Sequence, residues 1–193
     1  MEVKKMKKTY ALVFAAMFAA VIAALGLVPP IPVPGSPVPI TAQTLGVMLA
    51  GGLLGARLGG LSLLVFIALI IAGAPVLSGM RGGIDELVGP SAGYILSWPI
   101  SALVIGYLVE KSWNKLKMWK VLLINILGGI ILIYTAGIPV MAFVLDLPLQ
   151  ATALSALAYI PGDLVKSVIA AFVVVKMKNS NPVLSNKKKN LAA

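Results

Sequence analysis

The 193-residue chain has no cysteine and no histidine, and only 11% of it is charged. Without thiolate or imidazole there is no disulfide framework, no zinc site of the common kinds and no imidazole base, so nucleophilic triads and haem ligation are not expected either. No Walker sequence and no GxGxxG occurs, which leaves nothing to cradle nucleotide phosphates. Any energy input must therefore come from another chain, and neither a catalytic residue nor a metal or cofactor is expected. Acidic residues are also scarce, six against 16 Lys and Arg, for a formal net charge of +10.

What is abundant is hydrocarbon: 60% of the residues are apolar. A soluble domain carries about 45–50% apolar and about 25% charged residues, so the expected solvent is lipid. At about 20 residues per span, the length accommodates roughly six spans with short loops.

The first run, Thr9 to Val28, follows four lysines (Lys4, Lys5, Lys7, Lys8). It reads as a spanning helix; the competing reading, a signal peptide, asks for an apolar region of only about 7–15 residues. Further spans are expected at Ile40–Leu54, Leu58–Ala72, Ser91–Val109, Val121–Ile138 and Leu149–Val175. The second and third are short. At 1.5 Å per residue, 15 residues cover about 22 Å of the roughly 30 Å hydrocarbon layer, so they must borrow loop residues or be wrapped by neighbours.

Charge sets the orientation, because Lys and Arg concentrate in short cytoplasmic loops. With the amino terminus inside, the cytoplasmic segments collect the first four lysines, Arg57, then Lys111, Lys115, Lys117 and Lys120, and finally Lys176, Lys178, Lys187, Lys188 and Lys189. Only Arg81 stays outside, and Lys166 lies within the last span. The expectation is an all-α integral membrane protein with six transmembrane helices, both termini cytoplasmic, in the cell membrane. Residues 1–178 form one domain, and the basic tail 179–193 is expected to be disordered near anionic headgroups. Trp113 and Trp119 suit an interfacial belt. Lysines at membrane flanks, rather than on a folded face with aromatics, argue against nucleic acid.

The extracellular loop after the first helix reads PPIPVPGSPVP (29–39), with six prolines in eleven positions. Proline fixes φ and removes a donor, which favours an extended polyproline-like ribbon with Gly35 and Ser36 as the bend. Stiff lid and rigid connector are both open readings. Gln43, just beyond, either hydrogen-bonds a ligand or caps backbone.

Asp163 and Lys166 interrupt the last span. Translocon scales put an Asp or Lys at a helix centre at about 2.5–3.5 kcal/mol, so both should face protein or water. Counted from Lys176, Lys166 lies about 15 Å deep and Asp163 about 20 Å. Three residues apart, they project from one face, just after Pro161 and Gly162, which break the helix where a transporter would place substrate. A self-neutralising pair that holds the kink is the competing reading.

The outer segment 73–94 is rich in glycine and carries Arg81, able to clamp a carboxylate bidentately unless Asp85 or Glu86 neutralises it, and Tyr94, an apolar wall with a polar tip. Asn125 reads as interhelical glue. In the first helix alanine recurs at 11, 15, 19, 23 and at 16, 20, 24, small residues that let another helix approach closely, within the bundle or from another subunit.

Taken together, VPGSPVPITAQTLGVMLAG (33–51), LLGARLGGLS (53–62), GGIDELVGPSAGY (82–94) and PGDLVK (161–166) resemble the BioY family, the biotin-binding S components of energy-coupling factor transporters. The resemblance implies biotin as ligand and partner chains comprising a transmembrane coupling subunit and a pair of ATPases. It also implies a docking face on the first helix, Ala15, Ala19 and Ala23. With biotin as ligand, Asp163 is expected to accept ureido N–H bonds and Lys166 to donate to the ureido oxygen or the carboxylate, with Gln43, Arg81 and Tyr94 as further substrate contacts. The alternatives are an S component for another vitamin, an autonomous carrier using Asp163 as a proton-coupled carboxylate, and a membrane subunit without ligand.

Overall fold

The computed structural model describes residues 2–178, with side chains from Leu12 onward; the side chains of the first four lysines and the 179–193 tail lie outside the described residues. The elements run α1 (Glu2–Gly26), β1 (Ile31–Val33), β2 (Ser36–Ile40), α2 (Gln43–Ile71), α3 (Ala92–Ser112) and α4 (Met118–Ile126). A π-helical turn (Leu127–Ile131) carries α4 into α5 (Leu132–Leu145). Then come α6 (Leu149–Ala156), a 3-10 turn (Leu157–Tyr159) and α7 (Ile160–Met177).

Four helical stretches are long and apolar enough to cross a membrane: Gln43–Ile71, Ala92–Lys115, Met118–Leu145 and Leu149–Met177. Leu12–Gly26 is a shorter apolar helix. The outer surface is hydrocarbon, with Phe143 88% exposed and Ile100 and Val165 also outward, whereas Ser62, Ser101 and Asn125 are buried. Lipid rather than water is the solvent that tolerates this distribution.

Helix α2 is not one rod. At Gly55 (φ 80°, ψ −177°) the backbone leaves helical geometry, in the left-handed region that favours glycine. Contacts along α3 show the reversal. The elbow packs at Gly106, where an added Cβ would lie 2.3 Å from Ala56 N, while Gly51 meets Ala102 and Gly60 meets Pro99, at one level of α3. Both arms therefore run the same way from the elbow. The second arm begins with an unpaired N–H, and Glu110 Oε1 accepts it from Ala56 at 3.0 Å. Gly55 thus makes the turn that separates the second and third expected runs, beside Arg57.

The proline-rich loop is extended as expected, but it pairs with itself: β1 and β2 form an antiparallel hairpin with Ile31 opposite Ile40 and Val33 opposite Ser36, turning at Gly35 (φ 79°). The paired positions are all non-proline, and Pro32, Pro34, Pro37 and Pro39 fall between them, where a missing N–H does not interrupt the ladder. An all-α description therefore needs this one small sheet added.

Two expectations are corrected. Ala15 and Ala19 are buried (0% and 1% exposed) and Ala23 is half-buried; this stripe turns toward α2, where Ala19 joins Ile22, Val47 and Ala50 in the core, so it is closed to a partner. Ala16, Ala20 and Ala24 are the exposed stripe. Trp119 is exposed as a belt residue should be, but Trp113 is buried in the cluster with Leu116 and Val121, because the 3-10 turn Trp113–Lys115 folds it back under the α3–α4 connection.

Candidate functional site

At the end of the bundle away from the Gly55 elbow, the hairpin, the first turn of α2, segment 77–81, α3, α5 and α7 line a pocket that is partly open to the exterior. All five expected contact residues, Gln43, Arg81, Tyr94, Asp163 and Lys166, line it.

Asp163 sits in the first turn of α7, where the helix dipole favours a carboxylate and Pro161 needs no N–H partner. Its Oδ1 is 2.6 Å from Lys166 Nζ and accepts from Thr44 Oγ1 at 3.2 Å; its Oδ2 accepts from the Tyr134 hydroxyl at 2.6 Å. Lys166 also donates to Thr41 O (2.7 Å) and Thr44 Oγ1 (2.9 Å), so its three N–H groups are all engaged. Asp163 Oδ2 accepts the Tyr134 bond and has the capacity for another, and the residue lines the cavity. The two charges neutralise each other and still face the hollow, so the pairing and the site coexist.

Gln43 is a pin. Its Nε2 donates to Ile22 O (3.2 Å) and Val76 O (3.0 Å), and its Oε1 accepts from Ser78 N (3.1 Å), tying α1, α2 and the 76–78 segment together. Arg81 pairs with Glu86 at 3.1 Å and donates Nε–H to Ser78 O at 3.2 Å; with its side chain 41% exposed, it retains further N–H groups at the cavity mouth. The Tyr94 ring lies so close on Gly137 that a Cβ there would come 2.3 Å from its Cδ1.

Tyr94, Tyr134 and Tyr159 form a triangle of edge-to-face rings with centroids 6.3–6.4 Å apart, the favoured arrangement for such quadrupoles. Among the described residues, four buried side-chain polar atoms have no partner, and three belong to cavity residues: Ser78 Oγ, Tyr94 OH and Trp98 Nε1. Native proteins satisfy such groups; these three atoms are shielded within the wall and have hydrogen-bonding capacity unspent.

Sequence reading did not find Thr44, Ser78, Trp98, Tyr134 or Tyr159. Trp98 stands one helical turn after Tyr94 on α3, a spacing that places them on one face; Tyr134 and Tyr159 come from other helices and carry no local signal. Asn125 behaves as expected, donating from Nδ2 to Ser167 O across α4 and α7 at 3.1 Å.

Known proteins resemble this arrangement over nearly the whole chain. The profile of the BioY family matches residues 1–182. The chain is 44% identical to the probable biotin transporter BioY of Bacillus subtilis (84% of this chain, 87% of the relative). It is also 44% identical to the biotin transporter BioY of Rhizobium etli (84% and 89%). A crystal structure of the S-component for biotin from an ECF-type ABC transporter superposes with a TM-score of 0.85 at 35% identity, covering 90% of this chain and 93% of that one.

Proposed function

The chain belongs to the BioY family, and from that membership we propose that it captures biotin at the outer face of the cell membrane as the S component of an energy-coupling factor transporter. The observation that carries the reading is the polar set lining one pocket: Asp163, held by Lys166, Thr44 and Tyr134, with Arg81 and the rings of Tyr94, Tyr134 and Tyr159 around it. Biotin offers ureido N–H donors, a carbonyl, an apolar sulfur-containing ring and a carboxylate on a flexible arm. A ureido N–H completes Asp163 Oδ2, the tyrosine triangle flanks the ring system, and the spare N–H groups of Arg81 meet the carboxylate. Lys166, fully engaged, positions Asp163 and Thr41, and Gln43 holds the wall.

The topology of this reading has six spans, counting the two arms of α2 separately, with both termini cytoplasmic and the hairpin extracellular. In support, Arg57 and the 111–120 lysines lie at the elbow end and the cavity at the other. Function is binding and release without covalent chemistry. ATP is hydrolysed by paired ATPase subunits on other chains, and a transmembrane coupling subunit docks on the exposed stripe Ala16, Ala20 and Ala24. Inward release requires that partner to contact the two states of this bundle differently.

Equilibrium binding of labelled biotin to the purified protein, with other vitamins as competitors, tests the reading. Biotin is expected to bind and to resist displacement by the others; displacement by a different vitamin would reassign the substrate.

A further inference from the structure

The hairpin that covers the cavity has little to hold it. A two-stranded sheet is marginal on its own, and Pro32, Pro34, Pro37 and Pro39 take away four of the N–H groups in residues 31–40 with which it could grip the bundle. Among the described residues, its hydrogen bonds to the rest of the chain converge on one atom, the Tyr159 hydroxyl, apart from a 3.9 Å contact of Ser36 Oγ with Met141 Sδ.

The Tyr159 hydroxyl lies 2.9 Å from its acceptor Val38 O and 2.5 Å from Ser36 Oγ, a bond in which either hydroxyl can be the donor. Ser36 Oγ accepts the Val38 N–H at 3.2 Å and lies 3.4 Å from Val38 O. The ring of the same residue is a cavity wall, edge-on to Tyr94 and to Tyr134, and Tyr134 carries the bond to Asp163. At the hairpin's base, Thr41 O is fixed by Lys166. One side chain thus touches both the space a ligand fills and the strand that closes over it.

We propose that Tyr159 is a latch: its hydroxyl holds the 31–40 hairpin shut, and its ring, seated against bound ligand, makes closure depend on occupancy, so that Tyr159 sets the rate at which ligand leaves. The inference uses the biotin reading only for the choice of probe.

The test is Tyr159→Phe in the full-length protein, which keeps the ring and removes both hydrogen bonds. Biotin dissociation is expected to accelerate about tenfold, as loss of one or two hydrogen bonds implies, with association changed by less than about threefold, since such effects fall mainly on release. In the ligand-free protein, amide hydrogen exchange of Val33, Ser36, Val38 and Ile40 should speed up while that of α3 does not. Ser36→Ala should act in the same direction, and the double variant should be no faster than Tyr159→Phe alone, because both break one network. An unchanged dissociation rate, a loss confined to association, or unchanged hairpin exchange overturns the latch. If the wild-type protein does not bind biotin, the substrate reading falls, and hairpin exchange in the ligand-free proteins still decides the latch by itself.

Discussion

The Tyr134 hydroxyl lies 2.6 Å from Asp163 Oδ2, although 29 positions separate the two residues. Together with Lys166 and Thr44 on Oδ1, this bond orients the carboxyl group within the pocket. Removing either charge strands the other in a buried site. Asp163→Asn and Lys166→Ala are each expected to weaken biotin binding at least tenfold, about 1.4 kcal/mol, with membrane insertion retained. Equilibrium titration of both variants checks this, and wild-type affinity in the pair would take them out of the ligand's reach.

Tyr94→Phe removes a buried hydroxyl that lacks a partner in the ligand-free protein. Replacing an unsatisfied group by an apolar one of similar shape is neutral or stabilising. Thermal unfolding without ligand should therefore be unchanged or shifted upward, while biotin affinity falls about three- to tenfold. A fall in both quantities would mean that this hydroxyl serves the fold.

The two alanine stripes of α1 should respond oppositely to enlargement. Leucine at Ala16 and Ala20, which are exposed, is expected to impair copurification with the coupling and ATPase subunits while biotin binding persists. Leucine at Ala15 and Ala19, which are buried, should lower the yield of folded protein by overpacking. Full assembly of the Ala16/Ala20 variant would move the docking face elsewhere.

At the elbow, an added methyl at Gly106 would lie 2.3 Å from Ala56 N, and backbone cannot swing aside as a side chain can. Gly106→Ala should cost about 1–3 kcal/mol of stability, read as a lower unfolding temperature in detergent, with loss of the Ala56 to Glu110 bond. Wild-type stability would show that α3 and the elbow are free to separate.

Proteoliposomes containing this chain alone should bind biotin but not accumulate it under a proton gradient, whereas adding the partner subunits and ATP should start uptake. Accumulation by the isolated chain would instead make Asp163 a proton-coupled carboxylate.

Much of this was legible along the chain. The run boundaries came within a few residues for the first arms of the fold: 40–54 and 58–72 were expected where α2 bends at Gly55. The fifth run was read short, 121–138 against Met118–Leu145: Lys120 and Trp119 depress hydropathy at its start, and Pro139, which reads as a helix stop, lies inside the helix. The charged pair was found because its cost in lipid is a property of residue type and depth alone.

Membrane residence and the Asp163–Lys166 spacing follow from sums over neighbouring residues, and the sequence carries such sums in full. The inward alanine stripe, the Gln43 pin and the meeting of Tyr94, Trp98, Tyr134 and Tyr159 were decided by tertiary structure. Stripes 15/19 and 16/20 are chemically identical and stand about 100° apart on one helix, so only packing against α2 distinguishes them. Likewise, no local pattern ties Tyr134 to Asp163; the distance between them is set by how α5 and α7 lie against the rest of the bundle.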